Sequence, residues 1–165
     1  MFNKMDNTFD KAEAINRLVA LIVEYFITMN RTKMLCVYMP ITVEDDNVKI
    51  KESADKQFEL DKQIKNIFRE LSEHEQIITV DDAIQLIEAS DHNHNTFDYL
   101  VAGIEITNTK VTSELIETIL FYATRIHMDI EQYKNLIYLM SKAVDTMSEY
   151  DGFKLASIAV QLIDN

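Results

Sequence analysis

Only two glycines, Gly103 and Gly152, and one proline, Pro40, occur in 165 residues. Sandwiches and barrels turn on glycine and proline, and loops that cradle phosphate need clustered glycines, so this chain has the material for neither. Helices remain. The length suits one domain that buries about two thirds of the surface its unfolded form exposes, so no metal or disulfide is required for folding. With 47% hydrophobic and 27% charged residues the composition is that of a packed globular chain.

The hydrophobic spacing predicts a first helix over 9–29. There Ile15, Leu18, Val19, Ile22, Val23, Phe26 and Met29 keep helical register, and Leu21, Tyr25 and Ile27 widen the apolar face toward that of a central helix. Asp6 or Thr8 offers the cap. Residues 34–39 are β-prone, Pro40 forbids a continuing helix, and Ile41, Val43, Val48 and Ile50 alternate with polar residues around an acidic turn. A β-hairpin over 34–50 follows as the expectation. A second helix is expected from Ser53 to about residue 73, and a short third from 81 to 89 behind Thr79 or Asp81. Residues 90–95 read as a polar loop. A fourth helix over 97–104 stops near Gly103, a fifth spans 112–126, a sixth follows the Asp129–Gln132 capping pattern to about 147, and a last one spans 153–163. The expected fold is therefore a mostly α, single-domain bundle of six or seven helices with a β-hairpin inserted after the first.

The chain carries 28 acidic and 16 basic residues, net −12. That charge repels phosphate, and the cations are scattered, so direct nucleic-acid binding is not expected. The longest apolar run, 18–23, is far short of a membrane span, and the single cysteine, Cys36, has no partner for an internal disulfide. With no basic-then-apolar leader at the start, a cytoplasmic location is the expectation, in a host's cytoplasm if the source is a phage or virus. The 20 isoleucines and 11 asparagines are the usage of an AT-rich genome, as in many phages and some large viruses. The acidity is uneven: residues 1–80 carry 14 acidic and 11 basic side chains, net −3, whereas residues 81–165 carry 14 and 5, net −9.

Two constellations have chemical content. Glu70 and Glu73 on the second helix, with Glu88 and Asp91 at the end of the third, form two acidic pairs at a helical step of three. Such pairs place carboxylates on one face, where side-by-side helices can hold Mg²⁺. Their spacing resembles the carboxylate pairs of all-helical nucleotide pyrophosphohydrolases of the MazG and dimeric dUTPase type. That resemblance implies Mg²⁺-dependent hydrolysis of nucleotides with these four residues as ligands. The same carboxylates also read as solvated helix faces. Asp91, His92 and His94 carry ligand types suited to Zn²⁺, but on a loop their spacing fixes no site and no further ligand is apparent, so they read as an exposed polar loop.

No nucleophile–base arrangement stands out, and Cys36 reads as a small buried hydrophobe. The leading expectation is therefore a non-enzymatic acidic adaptor or inhibitor with no cofactor. It meets a protein partner of basic surface by electrostatic encounter through the acidic half, then by burial of an apolar patch near the hairpin or the last helix, with Val37, Tyr38, Glu149 and Asp151 as the candidate contact residues. Homodimerisation through the same surfaces is a second outcome. The pyrophosphohydrolase is the enzymatic alternative. A Bcl-2-like viral bundle capturing a partner helix is a third, by analogy of fold alone.

Overall fold

A computed structural model describes residues 9–38, 44–90, 94–125, 130–144, 157 and 160. Six helices carry the described chain: α1 (Lys11–Tyr38), α2 (Glu44–Glu73), α3 (Val80–Ala89), α4 (His94–Ile106), α5 (Ser113–Ala123) and α6 (Ile130–Val144). Among the described residues there is no strand. The expected hairpin is thus overturned at both its arms, because residues 34–38 close α1 and residues 44–50 open α2. Its acidic turn, 44–47, is likewise helical, while residues 39–43 lie outside the described residues, as do Asp91, His92, Glu149, Asp151 and most of the expected last helix.

The helix penalty of a β-prone residue is only a few tenths of a kcal/mol, and one further backbone hydrogen bond per residue on a helix already formed and paired with α2 outweighs it, even though Met34, Cys36 and Val37 stay exposed. α1 and α2 run antiparallel, about 42 and 45 Å long at 1.5 Å per residue. Cross-links between them descend in register: Arg17 Nη1 to Glu70 Oε2 at 3.6 Å, Lys56 Nζ to Glu24 Oε1 at 3.2 Å, Gln57 Nε2 donating to the Tyr25 hydroxyl at 3.2 Å, and Thr32 Oγ1 to Ser53 Oγ at 2.6 Å. Ser53, expected to cap α2, instead lies buried nine residues inside it. Pro40 restricts the residue before it from helical backbone, which agrees with α1 ending at Tyr38.

One buried cluster draws on all six helices. It takes Ile15, Leu18 and Ile22 from α1 and Ile64, Ile67, Phe68 and Leu71 from α2, so only the half of the α1–α2 pair near residues 11 and 73 reaches it. α3 is tied to α1 by Lys11–Asp82 at 2.7 Å and by Gln85 donating to Asn16 at 3.1 Å. α4 meets α2 through the Tyr99 hydroxyl, which donates to Asp61 at 2.8 Å, and α6 meets α4 through Asn135 donating to Asp98 at 3.0 Å and a Lys142–Glu105 ion pair. Each fully buried Leu, Ile or Phe contributes about 1.5–3 kcal/mol relative to exposure, so the scaffold is anchored at this end.

Helix ends are made with few glycines. Thr79 and Asp82 form a reciprocal capping box before α3, Thr112 caps α5, and Asp10 caps α1 by accepting from the Glu13 N–H at 3.1 Å, while Asp6 and Thr8, the expected caps, lie outside the described residues. After α2 the Gln76 N–H donates to Leu71 O and the Glu75 N–H to Ser72 O. After α4 the Thr109 N–H donates to Ile104 O and the Asn108 N–H to Glu105 O. Both are left-handed Schellman caps, with Glu75 at φ 57° and Asn108 at φ 51° where glycine is usual. Gly103 does not stop α4, which continues to Ile106.

Candidate functional site

Beyond the shared core the α1–α2 pair becomes a two-helix arm. Its inner seam is polar: Thr28 and Ser53 are buried, and the Thr32 hydroxyl bonds Ser53. The Thr28–Thr32 step of one turn was visible in the sequence, but not its partner twenty-one residues on. On one side Tyr25 stacks edge-on to Tyr99 at 5.3 Å and Met29 Sδ accepts from Asn95, so α4 covers α1 as far as residue 29. Burial, and then the bond to Asp61, push the Tyr99 phenol well above its ordinary value.

The outward side of α1 is different. Ile27 is 61% exposed, Met34 59% and Val37 73%. At about 100° per residue Met34 and Val37 fall on the side of α1 turned away from Thr28 and Thr32, the residues that face α2, and Ile27 stands at the edge of that side, where it also borders the cleft toward α2. Val23, Phe26 and Asn30 belong to the same stripe and are half-buried. Of the expected contact residues, Val37 therefore stands exposed on a helix rather than a strand edge, and Tyr38 is the last residue of that helix. Cys36, expected to be buried, is exposed. Phe58 on α2 is also exposed, but Lys62 lies 5.2 Å above its ring.

Shallow clefts line the open face between α1 and α2. One, of about 270 Å³, is bordered by Glu24, Arg31, Lys49, Glu52 and Lys56, and another by Arg17, Gln63, Asn66 and Glu70. Charges of both signs face each other across them, as in the Glu24–Lys56 and Arg17–Glu70 pairs.

The members of the acidic pairs that are described have different partners. Glu70 faces Arg17, Glu73 is exposed at the last residue of α2, and Glu88 on α3 accepts from the Tyr122 hydroxyl at 2.7 Å, a bond that raises the Tyr122 phenol. Among the described residues no group of three His, Cys, Asp or Glu side chains is placed to hold a metal ion. Asp91 and His92 lie outside those residues, and His94 opens α4. No described helix is long and apolar enough to cross a membrane. No protein-family model matches the chain, and neither a curated protein nor a solved structure is similar to it.

Proposed function

We propose that this chain is a non-enzymatic protein-binding module, an adaptor or inhibitor, whose docking element is the outward side of α1 on the α1–α2 arm. One observation carries the reading: three large apolar side chains, Ile27, Met34 and Val37, stand more than half exposed on one side of a helix whose opposite side is already packed. Burying such a stripe is worth about 25 cal/mol per Å² before the costs of association, so a contiguous exposed one marks an interaction surface. The acidic second half of the chain supplies a long-range field that speeds encounter with a basic protein surface, and the stripe then holds the complex.

The test is affinity capture from host lysate with wild type and a Met34→Glu variant at low and high salt. The expected result is a stoichiometric protein retained by wild type, weakened by salt and absent from the variant. Identical proteins on both baits would refute the docking element.

A further inference from the structure

The docking stripe has an internal symmetry. Asn30 is its centre. Val23 and Val37 stand one heptad to either side of Asn30, and Phe26 and Met34 one turn to either side. An isologous two-fold contact requires a surface complementary to itself, which few helix faces supply. Here an antiparallel α1–α1 pair centred on Asn30 sets Val23 against the partner's Val37, Phe26 against the partner's Met34, and Asn30 against the partner's Asn30. The Lys33 stem lies over the partner's Ile27, apolar to apolar, with its ammonium at the rim.

Asparagine suits the axis, since its amide both donates and accepts and so pairs with a copy of itself. A single Asn in an apolar helix seam fixes register in this way. Charge points to the same occupant. In a chain of net −12, residues 25–43 contain no acidic side chain and two basic ones, Arg31 and Lys33. This is the stretch where two copies approach with least repulsion. α2 and α4 contact α1 on its other sides, leaving Ile27, Met34 and Val37 exposed and Val23, Phe26 and Asn30 half-buried.

From these observations we infer that, before any other protein docks there, the α1 stripe pairs with a second copy of this chain, antiparallel through Val23–Val37 with Asn30 on the two-fold axis. The inference rests on the stripe being a docking surface, as proposed above. A helix pair of about 22 Å buries less than the roughly 800 Å² per partner of a standard interface, so the dimer is expected to be weak and concentration-dependent. Salt screens the mutual repulsion of two acidic chains, so raising it tightens the dimer, opposite to its effect on a basic partner.

The experiment is sedimentation velocity on the full chain from low micromolar to near-millimolar concentration at two salt levels, with wild type and Met34→Glu. Disulfide trapping accompanies it, with Asn30→Cys in a Cys36→Ser background and Glu59→Cys in the same background as control. The expected result is a concentration-dependent dimer favoured by salt and shifted at least tenfold to higher concentration in Met34→Glu, whose helical circular dichroism is unchanged. The Asn30→Cys variant is expected to cross-link far faster than the Glu59→Cys control. A wild type monomeric throughout, or equal cross-linking at both positions, overturns the self-pairing. If wild type is monomeric yet Met34→Glu still loses a captured protein, the self-pairing falls and the docking surface stands. If Met34→Glu changes neither, both fall.

Discussion

Replacing Gly103 with alanine pits two effects of known size against each other. In an exposed helix interior the change stabilises by about 0.8–1 kcal/mol, because glycine loses more backbone entropy than alanine. Here the new Cβ falls against Cε1 and 2.7 Å from both Cδ1 and Cζ of Phe68, where about 3.5–4.0 Å is comfortable. Phe68 is fully buried in the shared core, so its ring has nowhere to swing. Overpacking of this kind costs about 1–3 kcal/mol, and three ring contacts place it near the upper end. The expected net is a loss of about 2 kcal/mol, or a melting temperature about 4–8 °C lower for a chain of this size. Thermal and urea unfolding followed at 222 nm would measure it. In a Phe68→Leu background the same alanine should cost at least 1 kcal/mol less, the signature of a direct contact. A Gly103→Ala protein that melts at or above wild type would refute the reasoning, since helix propensity would then have won.

Three further outcomes follow from the helix ends and the tyrosine network. Thr79→Ala removes the side-chain acceptor of the α3 capping box and should cost about 1 kcal/mol by urea midpoint, while Thr79→Ser should cost little. Glu75→Gly should raise stability by about 0.5–1 kcal/mol, because a non-glycine residue at φ 57° carries a left-handed penalty that glycine lacks. For Tyr99 the sign runs toward alkali. Its phenol is held above the ordinary 10.0, so the stability that its neutral form contributes is complete below pH 10 and declines as pH rises beyond it. Urea midpoints at pH about 9 and about 11 should fall more steeply in wild type than in Tyr99→Phe; parallel declines would remove Tyr99 as the cause.

Reading the chain residue by residue succeeds where a local signal and the packing agree. Thr79 and Thr112 open α3 and α5 as their capping chemistry demands, and the apolar steps of Leu60, Ile64, Ile67, Phe68 and Leu71 mark the buried side of α2. It fails where the signal is local and the packing is not. Residues 34–38 carry β-prone side chains, yet their backbone hydrogen bonds are satisfied by extending α1. Ser53 is a good cap by type, but Thr32 takes its hydroxyl inside a helix that begins at Glu44. Gly103 resembles a stop, yet it sits mid-helix because Phe68 approaches too closely for any side chain. At the candidate site Val37 was legible as an apolar residue with contact potential. That Ile27, Met34 and Val37 share an uncovered side could be known only once α2 and α4 had taken the others.

Scarcity of glycine and proline, helical spacing of apolar residues and the cap residues are local properties, and they determined by themselves that this chain is helical and where most of its helices begin. Length of α1, antiparallel register with α2 and exposure of the arm's apolar stripe were decided by tertiary structure alone. Each depends on which of several nearly equal surfaces meets a neighbour distant in sequence, and that choice is made by the summed burial of the whole core rather than by any segment's own preference.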